Sequence, residues 1–337
     1  MISKNQNIVW FIIILSALFV LTGCPDLFKE EPREGILLSS LTFADPNLAA
    51  VVNNSNVTYV DELTWLFGSS SNITDISGIE NLTSLSYIYL NYNDISDVSP
   101  LASLTGFSTL RLDNNNFTDL SILSTLTSIE SLSLNNNNIT DISLLTSLIN
   151  LTDLSLSGNN ISDISPIDSL SNLWYLDLSS NNITDINQIP TITDLTFLDL
   201  GGNSIADFSP LSSFTNLTNL DLGFTGISEL TTISELTNLT DLYLYRNNIT
   251  DISPLALLIN LDLLYLSDNT IFDVSPLASL TSLNILDCDD NIITTGVASL
   301  VTLTSAEFID FSGNTGIPTA DLDILEGALG SGIVVRP

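Results

Sequence analysis

The chain has 337 residues, of which 39 are acidic and six basic, with no histidine and a formal net charge of −33. That balance excludes nucleic-acid binding and a polybasic membrane patch, because nothing in the chain could neutralise a run of phosphates. With 44% hydrophobic and 13% charged residues the composition is that of a folded protein rather than a disordered tail.

In chain order, residues 1–23 read as an export signal. Lys4 precedes an apolar run, Ile8 to Thr22, of 15 residues, which is of signal-core length and short for a membrane span. The run ends in Leu21-Thr22-Gly23-Cys24, which resembles the bacterial lipoprotein signal, in which small residues precede a cysteine that becomes the lipidated first residue. The resemblance implies that Cys24 carries several acyl chains, enough for a stable membrane anchor. Pro25 stands where an inner-membrane retention signal would place Asp, which points to the outer membrane or cell surface. Cys288 is the other cysteine, so an intramolecular disulfide is not expected. Residues 24–35, polar and proline-interrupted, read as a tether.

Residues 36–62 read as an N-terminal cap. In "FADPNLAAVV" Asp45 suits a helix N-cap and Pro46 its first position, with Leu48, Val51 and Val52 on one face. From 63 to 317 the sequence repeats at a period of 22, with units starting at Leu63, Leu85, Phe107, Ile129, Leu151, Leu173, Leu195, Leu217, Leu239, Leu261, Leu283 and, after one extra residue, Ala306. Each reads apolar-x-x-L-x-L-x-x-N-x-I-x-D-I. The L-x-L alternation predicts a short strand with both leucines inward. Asn at the turn (Asn93 through Asn314) can donate and accept at once and so satisfy stacked backbone groups; Ser71 and Thr225 replace it in two units. The recurring Asp (Asp75, Asp97, Asp119 and their equivalents) reads as a turn cap. Ser-Pro, as at Pro100 and Pro254, predicts a 3₁₀ turn with Ser as cap and Pro first. Residues 318–337 read as a C-terminal cap: a helix from Thr319 to Leu329, stopped by Gly330, then a last strand in "GIVV".

The repeat matches the leucine-rich-repeat pattern, and with "FADPNLA" and "I-x-D-I-S-P-L" it resembles the internalin-type repeat domains of bacterial surface proteins. The resemblance implies an α/β solenoid: a right-handed horseshoe with a parallel β-sheet on the concave face, 3₁₀ and irregular turns on the convex face, and helical caps at both ends. It also implies a concave binding surface. No immunoglobulin-like module or wall-anchoring motif follows the repeats, so the anchor expected is the N-terminal lipid.

If the leucines point in, the variable positions beside them form the concave face. Its candidate binding residues are Tyr87, Tyr89, Tyr92, Tyr175, Asp177, Asp199, Asp221, Phe224, Tyr243, Tyr245, Arg246 and Tyr265. Exposed Tyr is the usual anchor of protein interfaces and, by stacking, of sugars. Trp65 and Phe67 belong either to that surface or to packing against the N-terminal cap. Asp177, Asp199 and Asp221 hold one position in three successive strands, where other units use Ser or Tyr, so the scaffold does not demand them. A cationic partner, or Ca²⁺ on the three carboxylates, is one reading; a solvated acidic face is the other. Cys288 falls on an inward strand position and reads as a small buried hydrophobe.

The function expected is a lipid-anchored, monomeric envelope protein that binds a protein or glycan ligand and needs no cofactor. The alternatives are a structural envelope protein without a defined ligand, or a glycoside hydrolase using paired carboxylates. The last is disfavoured because a shallow sheet offers no pocket to raise one pKa.

Overall fold

The structure is a computed structural model that describes residues 35–189, 192–330 and 332–337. The expected signal, Cys24 and nearly all of the tether lie outside the described residues. The chain divides into two units, Met1–Ile36 and Leu37–Pro337, and the second holds all of the repeats.

This second unit is a curved leucine-rich-repeat solenoid. Among the described residues, thirteen short strands form one sheet in strict sequence order. They are β1 (Trp65–Phe67), β2 (Tyr87–Tyr89), β3 (Thr109–Arg111), β4 (Ser131–Ser133), β5 (Asp153–Ser155), β6 (Tyr175–Asp177), β7 (Phe197–Asp199), β8 (Asn219–Asp221), β9 (Asp241–Tyr243), β10 (Leu263–Tyr265), β11 (Ile285–Asp287), β12 (Phe308–Asp310) and β13 (Val334–Val335). All pairings are parallel, and each residue lies opposite its equivalent in the next repeat, as in Leu176 against Leu198. Parallel strands need a crossover, and here the rest of each 22-residue coil supplies it.

The core is the stack of leucine and isoleucine columns. In the coil from Leu173, the side chains of Leu173, Leu176, Leu178 and Ile183 have no exposed surface. Burying each such side chain stabilises the fold by about 1.5–3 kcal/mol, which lets the domain do without a disulfide. Cys288 sits in this stack, buried, and burial pushes its thiol pKa well up.

The asparagine column is buried throughout and forms a ladder. Asn159 donates from Nδ2 to Leu156 O in its own coil (2.9 Å) and Leu134 O in the previous one (3.0 Å), and its Oδ1 accepts from Ile139 N at 2.9 Å. Thr225 offers less: its hydroxyl donates to Leu222 O at 2.7 Å.

The convex side carries the expected 3₁₀ turns, such as Ser99–Ser103 and Ser253–Leu257. Their capping differs from the Ser-cap expectation. The serine is the first residue of the turn and its side chain does not cap it. The cap is the recurring Asp two residues earlier: Ser99 N donates to Asp97 Oδ1 and Ser253 N to Asp251 Oδ1, each at 2.8 Å. A carboxylate accepts this bond better than a hydroxyl, because the acceptor is charged. Backbone and side-chain hydrogen bonds from Ser253 hold the Asp251 carboxyl below its ordinary 3.8.

Both ends are closed as expected. Helix α1 (Pro46–Asn53) is capped by Asp45, whose Oδ1 accepts from Asn47 N at 2.7 Å, and it buries Leu48 and Val52. The second oxygen of Asp45 accepts from Thr74 N at 2.8 Å, so one carboxylate caps both the helix and the first coil. Burial pushes its pKa up, but backbone donors from Thr74, Asn47, Asp75 and Leu48 outweigh this and hold it below 3.8. Helix α2 (Thr319–Leu329) buries Leu322 and Leu325. After it β13 pairs with β12, and Arg336 closes the end with ion pairs to Glu326 (2.6 Å) and Asp323 (2.7 Å).

Candidate functional site: the sheet face

Within each three-residue strand, β1 to β12, the middle residue points into the core and its two neighbours point out, as the burial of Leu176 between Tyr175 and Asp177 illustrates. The outer face is therefore built from the variable positions, and along the solenoid its chemistry changes in blocks.

The first block is aromatic. Trp65 stacks on Tyr87 with ring centroids 3.8 Å apart, and Phe67 on Tyr89 at 5.3 Å. Arg111 lies with its guanidinium 5.8 Å from the Tyr89 ring. Trp65 is 44% and Phe67 65% exposed, so these rings pack on one another in the open. An open groove of about 720 Å³ is lined by them together with Val51, Asn54 and Val57 of the cap. Trp65 and Phe67 thus belong to the surface.

A polar depression of about 390 Å³ follows, with the small Ser131, Ser133 and Ser155 lying between Arg111 and Tyr175. Its floor is tied across strands: Asp113 accepts from the Ser133 hydroxyl and from Asn135 N (2.9 Å), Ser155 Oγ lies 2.9 Å from Asn135 Oδ1, and it donates to Asp177 Oδ2 at 3.0 Å. Beyond it Tyr175 stacks on Phe197 at 4.3 Å, with Trp174 edge-on at 5.9 Å. Phe197 and Trp174 were not among the expected site residues. The signal for Phe197 was its register, since it occupies the position of Tyr175 one repeat later.

Asp177, Asp199 and Asp221 lie in register in β6, β7 and β8. Other repeats place Ser or Tyr at this position, as at Ser133, Ser155, Tyr243 and Tyr265, but where Asp is present the scaffold uses it. Asp177 Oδ1 accepts from Ser179 N (3.0 Å), Asp199 Oδ1 from Gly201 N (2.8 Å) and Asp221 Oδ1 from Gly223 N (2.7 Å). Each carboxylate thus holds the amide two residues on, where its own chain turns off the strand. Burial, then the neighbouring Asp221, push the Asp199 pKa up to about 7; burial and Asp177 raise that of Asp221. Among the described residues, no group of three or more His, Cys, Asp or Glu side chains is arranged to hold a metal ion. Tyr245 lies over this acidic stretch. Its ring occupies the space a Cβ on Gly223 would fill, so glycine there lets the ring lie against the strand end. Burial, Asp221 and Asp199 raise the Tyr245 phenol pKa. Tyr243 and Tyr265 continue the row in β9 and β10, stacked at 5.0 Å. Asp287 and Asp310 extend it into β11 and β12.

Tyr92, Phe224 and Arg246 are placed differently from the expectation. They lie three residues past the strand ends, on the rim where the chain turns off the sheet, and all three have left-handed backbone, with φ of 56°, 57° and 54°. The equivalent residue has positive φ in every repeat, and elsewhere it is Asn, Asp, Gly or Ser, as at Asn114 (54°) and Gly202 (70°). Large side chains are strained in that region by about 1–3 kcal/mol. The ring of Phe224 is 65% exposed, so packing does not offset the strain. Arg246 pairs with Asp268 at 3.5 Å beside an open depression that also includes Phe224 and Asn248.

Comparison with known proteins bears on the whole arrangement. The family model described as leucine rich repeats (two copies) matches residues 127–169, 149–191, 171–213, 193–237 and 215–257. The crystal structure of an internalin, InlF, from Listeria monocytogenes is 32% identical, with 90% of this chain and 93% of that one covered and a TM-score of 0.79. A leucine-rich-repeat protein of Leptospira interrogans shares the fold at 22% identity, over 77% of this chain and 74% of that one, with a TM-score of 0.69. The PEPR1–AtPEP1 structure is 26% identical over 72% of this chain and 37% of that one, with a TM-score of 0.58. No curated protein matches the sequence.

Proposed function

The chain belongs to the internalin-like leucine-rich-repeat proteins, and on that ground we propose that it is a non-enzymatic envelope protein, held by lipid on Cys24, that captures a protein ligand on its concave sheet face. One observation carries this reading. Aromatic rings are laid out in stacks across the solvent-facing side of the sheet, where the leucine and asparagine ladders have no need of them. Tyr and Trp are the residue types that most often dominate binding energy at protein interfaces. The strained, exposed Phe224 and Tyr92 add to it, because strain on an exposed side chain is retained where the side chain is used.

The test separates face from scaffold. Tyr243→Ala with Tyr265→Ala abolishes capture of a protein ligand from envelope or host-cell extract, while the thermal midpoint moves by less than about 2 °C. Capture that survives the pair sinks the proposal. The anchor is tested separately. In cells, Cys24→Ser moves the protein from the membrane fraction to the soluble fraction and removes incorporation of a labelled fatty acid. Unchanged fractionation and labelling would contradict lipidation.

A further inference from the structure

Asp177, Asp199, Asp221, Tyr243, Tyr265 and Asp287 stand in one in-register row across β6 to β11. At about 4.8 Å per strand the row is roughly 24 Å long. Its centre is the stacked pair Tyr243–Tyr265, with a carboxylate directly beside each ring: Asp221 in β8 and Asp287 in β11. The outward-facing row two residues earlier in each strand runs through Asp153, Tyr175 and Phe197 to Asn219 and Asp241, so the surroundings repeat the theme. From β5 to β12 no strand residue is basic. The nearest cation on the rim is Arg246, which is already paired with Asp268.

Aromatic rings flanked by carboxylates are what a guanidinium or ammonium group seeks. The ring face attracts the cation, the carboxylate completes its hydrogen bonds, and planar guanidinium does both at once. Charge complementarity also decides against an acidic partner, since like charges facing across an interface cost several kcal/mol.

We infer that the β6–β11 row binds a basic, extended polypeptide segment whose arginine or lysine side chains insert between the Tyr243–Tyr265 pair and the flanking Asp221 and Asp287. This rests on the sheet face being the binding surface and names the partner's chemistry. An extended chain rises about 3.3 Å per residue, so about seven residues cover the row.

The experiment uses the purified protein and three labelled nonapeptides of the same length: alternating Arg-Ser, alternating Gln-Ser and alternating Glu-Ser. The Arg peptide binds and the other two bind at least about tenfold more weakly. Asp221→Asn with Asp287→Asn weakens Arg-peptide binding about tenfold, whereas Asp119→Asn with Asp141→Asn, which removes the same charge from the convex turns, changes it less than about twofold. Tyr243→Ala with Tyr265→Ala, which alters no charge, also weakens it about tenfold.

Equal losses from the two charge pairs would reduce the effect to the field of an acidic protein and overturn the inference. So would indifference to the tyrosine pair, or equal binding of the Gln peptide. If no peptide binds but the tyrosine pair still abolishes capture of a protein ligand, the partner chemistry is wrong and the binding face stands. If the tyrosine pair affects neither, both fail.

Discussion

Asn159→Ala lowers the unfolding free energy by about 3 kcal/mol or more, seen as a lower denaturant midpoint. The change removes the partner of Leu134 O, Leu156 O and Ile139 N together, and Asn137 N also loses the Asn159 Oδ1 it reaches at 3.1 Å. All these groups are buried, and a buried polar group left unpaired costs about 1–3 kcal/mol. Asn159→Asp serves as the control. It keeps an acceptor for the two amides but turns a charged oxygen toward two carbonyls, so it destabilises as much or more. A loss below about 1 kcal/mol in the alanine variant would mean that water replaces the amide, and that the ladder is a consequence of the fold rather than a support for it.

Asp199→Asn raises stability at pH 8 by about 1–3 kcal/mol and leaves it nearly unchanged at pH 4. The folded-state pKa of about 7 lies above the ordinary 3.8, so the folded chain holds a proton that the unfolded chain releases. Stability from this group is therefore fully present below about pH 4, declines as pH rises and is lost above about pH 7. The full difference corresponds to about 4 kcal/mol at 1.36 kcal/mol per unit, reduced because the carboxylate is partly open to solvent. The asparagine keeps the acceptor for Gly201 N and carries no charge next to Asp221. Below pH 4 a second trend takes over in both proteins. Asp45 and convex caps such as Asp251 have lowered pKa values, so their contribution is lost as pH falls through those values. Unfolding midpoints from pH 3 to 9 check both arms. Parallel curves for wild type and variant would show that Asp199 ionises normally in the fold.

Most of the scaffold could be read from the sequence because a 22-residue period fixes every structural position many times over. The leucine columns, the asparagine ladder, Asp45 as cap and the final β13 are consequences of local pattern. The failures fall where the pattern leaves a choice. Ser before Pro and Asp two residues earlier are both competent caps, and only the bond from Ser99 N to Asp97 Oδ1 shows which is used. The aspartates of β6 to β8 looked optional because other repeats manage without them; that each accepts the amide two residues on depends on how the chain leaves the strand. The left-handed rim was visible in principle as a column of Asn, Asp, Gly and Ser interrupted by Tyr92, Phe224 and Arg246. Without the backbone angle, those three looked like ordinary strand-face residues. Phe197 was overlooked because its importance lies in a neighbour, Tyr175, that touches it only once the coils are stacked.

The molecule carries one column of carboxylates on each side: Asp177, Asp221 and Asp287 on the sheet, and Asp119, Asp163 and Asp251 on the convex turns. Carboxyl labelling with a carbodiimide and an amine, read by mass spectrometry with and without the captured protein ligand, compares the two within one sample. Binding on the sheet face predicts slower labelling of the sheet aspartates and an unchanged convex column; protection of the convex aspartates with the sheet column unchanged would contradict it.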